Sequence, residues 1–341
     1  MQESSPFIRT TDGAIALANL MAQIDGLTLY ADHGKLTSRL WTELVDLLVL
    51  RAQILGRVAD YECAMAWAER RVRDAPIDGL AFLSQARARA SLHRFEEALT
   101  DLNIAERFGV AGVELDAERA AIFQAVGRYD EAMALRVAAA ARCADFESLG
   151  GLAALHAERG ETAVAERLFD QSCWRFRGVS PFALAQLEFQ RGHMWQEHGD
   201  LGSARDWFAA ALRRLPAYVR TEGHLAEVEA GLGEREIAIA RLRRLASASD
   251  DPDYADQLAR ILGQDGRLEE AGWWRARAEA RYDELVARHP AAFADHAAEF
   301  WLTVGGDPRR ALGLARQNFE VRRTPRACAL LSRTVLACEN G

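Results

Sequence analysis

Alanine returns along this 341-residue chain at a nearly constant interval, at Ala64, Ala98, Ala132, Ala165, Ala204, Ala238, Ala271 and Ala311. The spacings are 34, 34, 33, 39, 34, 33 and 40 residues. Five residues before most of these alanines stands a glycine able to end a helix: Gly127, Gly160, Gly199, Gly233, Gly266 and Gly306. Ala59 and His93 occupy that place in the first two units. Seven residues after the alanine a second small residue recurs, as Ala105, Ala139, Ser172, Ala211 and Ala278. A breaker and a small contact residue repeated at a period near 34 describe a helix–turn–helix unit. Such a unit cannot bury its apolar face alone, so units must stack. The expected fold is an all-α solenoid of about eight units over residues 36–323. Residues 1–35 form an N-terminal capping segment and 324–341 a C-terminal capping helix, because bare terminal units would expose an apolar face.

The fifth unit shows the packing most plainly. Its first helix runs from Leu184 to Gly199 and its second from Asp200 to Leu215, closed by Pro216. Leu184, Leu187, Arg191/Gly192 and Trp195 keep the 3–4 residue rhythm of one buried stripe. Leu201, Ala204, Phe208, Ala211 and Leu212 supply the opposing stripe. Gly192 lets the two helices approach, and a larger residue at Ala204 would overpack the pair at a cost of about 1–3 kcal/mol. Two units are long. In one, Ser180 as N-cap and Pro181 at the first helical position start the helix early. In the other, Leu268 to about Arg288 reads as one extended second helix stopped by Pro290. At the ends, Asp12 to about Gln23 reads as a helix whose Ile15, Ala18, Leu20 and Ile24 cover the first unit. Thr324 to Glu339 reads as the final helix, with Pro325 at its start.

The segment LAQLEFQRGHMWQEHGDLGSARDWFAAALRRLP resembles a tetratricopeptide repeat (TPR), with Gly192, Trp195, Ala204, Phe208, Ala211 and Pro216 at that family's G, Y, A, F, A and P places. Ala86, Ala120, Ala153, Ala226 and Ala259 replace the glycine in other units. The resemblance, to a bacterial-type TPR protein, implies a right-handed α–α superhelix whose first helices line a concave groove. It also implies that residues 18, 15 and 11 places before each repeated alanine face that groove. These are Asp46/Val49/Gln53, Leu80/Leu83/Arg87, Glu114/Ala117/Ala121 and Glu147/Gly150/Ala154 in the first four units. The next four offer Gln186/Phe189/His193, Arg220/Gly223/Glu227, Asp253/Asp256/Arg260 and Phe293/His296/Phe300. The Lys/Asn pairs with which some TPR proteins clamp a C-terminal carboxylate are missing. The candidate binding residues are Gln186, Phe189, His193, Arg220, Glu227, Asp256, Arg260, Phe293, His296 and Phe300. They suit an extended peptide with apolar and acidic side chains. The Ala/Gly-lined third and fourth units leave room for a small apolar ligand instead.

Composition narrows the function. A net charge of −8 disfavours nucleic acid or an anionic membrane as the main partner. Of the 42 basic residues only Lys35 is lysine, and Leu29 stands where a phosphate-binding loop needs its first glycine. Five cysteines (Cys63, Cys143, Cys173, Cys328 and Cys338) form no CxxC pair, so neither a disulfide framework nor a zinc site is expected. No uninterrupted run reaches the 18 or so apolar residues of a transmembrane helix. The opening MQESSPFIRTTDG lacks a basic-then-apolar leader, which reads as cytoplasmic, or as periplasmic if a longer precursor is processed.

No nucleophile–base, metalloprotease or dinucleotide pattern is present. His193 and Glu197 share a helix face as two possible metal ligands or as a polar pair, with His198 turned away. Asp295, His296 and Glu299 form a second polar cluster without a nucleophile at a defined spacing. Trp273 and Trp274 lie about 100° apart on a helix, so one belongs to the core and the other between units or at a partner. The expected function is a non-enzymatic scaffold or adaptor, with no cofactor, that binds a protein or extended peptide in its groove. The alternative is a small-molecule or lipid-binding solenoid.

Overall fold

The computed structural model describes residues 8–340, so the first seven residues of the capping segment lie outside the described residues. Among those described, eight helix pairs follow in order. They are α2 (Ser38–Leu55) with α3 (Val58–Asp74), α4 (Gly79–Ser91) with α5 (Phe95–Arg107), and α6 (Gly112–Val126) with α7 (Tyr129–Arg142). Next come α8 (Phe146–Glu158) with α9 (Thr162–Arg175), α10 (Phe182–Glu197) with α11 (Leu201–Arg214), and α12 (Val219–Gly231) with α13 (Arg235–Ala248). The last are α14 (Asp253–Gln264) with α15 (Leu268–Arg288) and α16 (Pro290–Leu302) with α17 (Pro308–Val321). Helix α1 (Gly13–Asp32) precedes them and α18 (Pro325–Glu339) follows. Each helix packs on the next, as in a TPR-like solenoid.

Seven of the eight repeated alanines have no exposed surface. Ala271 is only half-buried, because α15 turns Trp274, Ala278, Tyr282 and Leu285 inward instead. A Cβ on Gly192 would stand 2.6 Å from the Phe208 ring, so the missing side chain makes room for that ring. Local signals set most helix ends. Thr37, Asp78, Asp145, Asp200 and Thr324 accept backbone N–H bonds as N-caps, and Pro290, Pro308 and Pro325 open their helices. Helix α10 departs from expectation: Pro181 is its N-cap, and Ser180 makes only a long contact (3.4 Å) to the Phe182 N–H. The first unit departs too. Ala59 is inside α3, and the turn belongs to Gly56 at φ 60°.

Helix α1 runs nine residues beyond Gln23, and its inner face is Ala16, Leu20 and Ile24, while Ile15 and Ala18 are exposed. Its average also corrects the membrane reading: over an 18-residue window its mean hydropathy is 1.2, enough by length and composition to cross a membrane. Here it packs on α2, with Leu20 and Ile24 in the core shared with Trp41, Leu44 and Leu48.

The ribbon of paired helices closes on itself edge to edge. The Ser249 hydroxyl donates to the Gly56 carbonyl at 2.6 Å, and the Val58 N–H donates to Asp250 at 2.9 Å. Glu62 takes Arg288 at 2.6 Å and His289 at 2.8 Å. His93 reaches the Ala291 carbonyl at 3.2 Å, and the Arg323 N–H donates to the Val126 carbonyl at 3.1 Å. The partners are 192 to 227 residues apart, so at a repeat of about 34 the ribbon overlaps itself after roughly six units. The within-unit turns of units one to three thus abut the between-unit loops of units six to eight and the start of α18. Gly56 and Gly127 have no room for a Cβ at this seam, with Val219 at 2.9 Å and the Arg323 carbonyl at 2.5 Å, whereas Gly160, Gly199, Gly233, Gly266 and Gly306 face open space. His93 alone among the described non-glycine residues has positive φ (57°). It accepts this conformation while bonded across the seam and stacked on Phe95 at 5.2 Å.

Candidate inner-face site

Residues 18 and 11 places before a repeated alanine are seven apart and share one stripe of the first helix. The residue 15 places before is rotated about 60° toward the next unit. The structure follows this arithmetic. Leu83, Gly150, Phe189, Gly223 and Asp256, all in the middle register, are buried. A Cβ on Gly150 would meet Leu187 at 3.1 Å, and one on Gly223 would meet the Tyr254 ring at 2.6 Å. Phe189 packs among Phe208, Tyr218 and His224 at 5.3–5.8 Å. Phe189 and Phe300 therefore belong to the walls of the groove and not to its free surface. Phe300 has no exposure and packs on Tyr282 and Trp301. Phe293 is half-buried on α16, apart from the polar network described next.

The other candidates meet along the inner face of α10, α12, α14 and α16. Gln186 accepts the Tyr218 hydroxyl. His193 stands edge-on to His224 at 5.2 Å, and Gln196 bridges His224 and Glu227 at 3.0 Å each. Glu227 meets Arg260 at 3.4 Å. His296 faces Asp253 at 3.5 Å and Asp295 at 4.0 Å, and Asp295 pairs with Arg322 at 3.2 Å. Arg220 stands over the Phe189 ring, 4.8 Å from its centroid. Water reaches this face: the side chains of His193, Arg260 and His296 are 33%, 37% and 42% exposed.

The electrostatics follow from surroundings. Burial, then Arg220 and Arg326, holds His193 down at about 4, and burial also pushes His224 well below the ordinary imidazole value. Asp295, together with Asp253, lifts His296 to about 9. Burial and the neighbouring Asp253 raise Asp256 to about 7, while burial raises Glu227. The face thus holds neutral His193 and His224 beside a charged His296.

Sequence spacing missed several members: His224, Tyr218, His93, Arg322 and Arg326. His224 lies one residue past a ruler position. The others come from loops, from α18 or from across the seam, and no period within a unit could reach them. The Asp295–His296–Glu299 cluster does not converge as a set, because Glu299 forks onto Arg333 at 2.7 and 3.0 Å. His193 and Glu197 are 3.9 Å apart, and among the described residues no group of three metal-ligating side chains assembles. The Ala/Gly part of the groove is filled at its glycines, while Ala117 and Ala121 stay exposed. Gly150 faces Leu187 and Ser172, and the space beside Gly151 is filled by the Arg136 guanidinium, 2.4 Å from where a Cβ would be. Trp274 is buried and Trp273 is 57% exposed, the two rings meeting edge-on at 4.5 Å.

No protein-family model and no curated protein matches the sequence. Solved structures do match the fold. The human IFIT1 dimer with m7Gppp-AAAA aligns over 92% of this chain and 76% of its own, with 14% identity and a TM-score of 0.58. A Rap protein complexed with Competence and Sporulation Factor aligns over 93% and 98%, with 13% identity and a TM-score of 0.54. The Cut9–Hcn1 hetero-tetramer of the APC/C aligns over 93% of this chain at 14% identity and a TM-score of 0.52, and there the chain spans only 52% of the matched chain. At these identities the likeness describes the fold alone.

Proposed function

We propose that this protein is a non-enzymatic scaffold or adaptor that binds an extended segment of a protein partner along the inner face of α10, α12, α14 and α16. The observation that carries the reading is a continuous, water-reached row of charged, amide and imidazole groups from Gln186 to His296, drawn from four successive first helices. A row spread over several units suits a ligand that is itself extended, with side chains read one after another. A structural neighbour in complex with Competence and Sporulation Factor is compatible with such a role. The small-molecule reading is less favoured: Leu187, Ser172 and Arg136 occupy the space beside Gly150 and Gly151, which leaves it the exposed Ala117 and Ala121.

The test is selection of octapeptides from a random library on the full chain, followed by hydrogen exchange with an enriched peptide. Protection of α10, α12, α14 and α16 is expected. Failure to enrich any peptide, or protection confined to the outer helices α11, α13 and α15, would overturn the reading.

A further inference from the structure

Helix α1 holds the place of a second helix, although no first helix precedes it among the described residues. Asp12, Ala16 and Leu20 repeat the spacing of Asp200, Ala204 and Phe208. Each aspartate is an N-cap, and the residues four and eight places on are buried. In the fifth unit α10 covers α11 three and seven places after the alanine, where Arg191 stands over the Trp207 ring and Ala211 has no exposure. On α1 those places are Asn19 and Gln23, and both are exposed. Ile15 and Tyr30, on the same face, are 57% and 56% exposed.

Helix α18 is the counterpart. It packs on α16 and α17 as the first helix of a ninth unit, with no second helix after it among the described residues. Counted from the N-caps Pro181 and Thr324, Cys328 and Ser332 hold the places of Ala185 and Phe189. Ala185 and Phe189 are buried, the Phe189 ring lying 5.8 Å from that of Phe208, whereas Cys328 and Ser332 are exposed. The seam obeys the same count. The turn within each of units one to three meets the loop that follows the unit five places later. The stretch before α1 continues the rule as the turn of a unit zero, for it meets the loop after unit five. There Arg214 donates to the Ile8 carbonyl at 3.0 Å, and a Cβ on Gly13 would stand 2.5 Å from the Arg214 carbonyl.

We infer that α18 of one copy pairs with α1 of the next, so that two chains share a ninth unit and the ribbon continues from copy to copy. By the five-unit rule, the loops after units one to four of the second copy then fall on the turns of units five to eight of the first. Those turns carry Gly199, Gly233, Gly266 and Gly306, which face open space, and the loops carry the exposed Ile77, Phe108 and Val179. The occupant is a second copy because this contact prolongs the interface by which the chain already closes on itself. Bare terminal units leave apolar surface that further stacking buries. Joining unlike ends is heterologous, so assembly propagates in one direction. These surfaces lie at the ends and edge of the ribbon, apart from the row of groups on the inner face.

Sedimentation velocity of the full chain at rising micromolar concentration tests this, with Ile15→Glu blocking the α1 face and Ser332→Glu the α18 face. The wild-type chain is expected to form a concentration-dependent ladder of oligomers. Each blocked variant alone should stay monomeric. A 1:1 mixture of the two should stop at a dimer, since one intact end of each kind remains. Ile77→Glu, on the loop edge, should weaken assembly at least fivefold, and Val137→Glu, exposed on the outer helix α7, should leave it unchanged. Ile15 and Ser332 are exposed, so circular dichroism of both blocked variants should match the wild type. A monomeric wild-type chain overturns the inference, as does a mixture that stays monomeric or an Ile77→Glu variant that assembles normally. Loss of assembly on Ile15→Glu but not on Ser332→Glu also overturns it, marking a symmetric α1–α1 contact. Cosedimentation of a monomeric chain with phosphatidylcholine vesicles would assign the α1 face to a bilayer instead.

Discussion

At the scale of single residues, Arg136 breaks the packing rule of its own repeat. Four places after the repeated alanine, the second, fourth, fifth and sixth units bury Leu102, Phe169, Phe208 and Leu242. The third unit puts an arginine there, with Nε buried and without a partner, and burial lowers its pKa. Arg136→Leu is expected to stabilise the fold by about 1–3 kcal/mol in urea denaturation, since it removes a desolvated charge from an apolar register. Gly151→Ala, inside α8, should stabilise more in the Arg136→Leu background than in the native chain, where the guanidinium must first move aside, a coupling that a double-mutant cycle reads directly. Asp256 is the acidic counterpart: it is 5% exposed and its Oδ1 has no partner. Its carboxyl is raised to about 7 from 3.8, so ionisation costs stability above pH 7, and that cost recedes as pH falls toward 3.8. Asp256→Asn should therefore stabilise by about 1–3 kcal/mol at pH 8 and progressively less on acidification, as followed by thermal melts. The positions of both residues were legible from the alanine spacing. Their burial was not, because it depends on what the adjacent unit presents.

At the scale of elements, the turn glycines separate conformational need from steric need. All the turn glycines named above have positive φ, so any side chain there costs roughly 1 kcal/mol. At Gly160 (φ 75°) nothing else opposes a Cβ, whereas at Gly127 (φ 86°) it would stand 2.5 Å from the Arg323 carbonyl. Gly160→Ala should cost about 1 kcal/mol, and Gly127→Ala at least twice that. Only Gly127→Ala should also raise the radius of gyration in small-angle scattering, by parting α18 from the turn between α6 and α7. In the sequence these glycines are equivalent. The long α15 was readable from its unbroken helical pattern and Pro290, and α18 from Thr324 and Pro325, because capping chemistry is local. The end of α1 was not, since the helix runs through Gly26 and stops only at Asp32, ahead of Gly34.

At the scale of the whole molecule, closure of the ribbon places titratable groups of distant units in one field. His296, on α16, faces Asp253 from α14, Asp295 from its own helix and Arg326 from α18. Its folded value of about 9 lies above the ordinary 6.5. Its contribution is therefore complete below pH 6.5 and is lost as pH rises through 9. His93 and His193 are held near 4, so each resists protonation and costs stability as pH falls from 6.5 toward 4. His296→Gln should flatten the loss of thermal stability between pH 6.5 and 9 while leaving the acid limb as it is. Melting temperatures across that range check it, and an unchanged alkaline limb would remove His296 from the account.

The sequence by itself determined the all-α class, the eight helix pairs, their order and the burial of seven of the eight marker alanines. Those follow from periodicity, breakers and caps, which act over a few residues to one repeat. The tertiary structure alone decided that the ribbon meets its own edge, that Phe189 and Phe300 are wall and not surface, and that His296 faces Asp253 while Asp295 pairs with Arg322. A small rotation between neighbouring units, summed over several of them, sets where the edges meet. No single repeat encodes that sum.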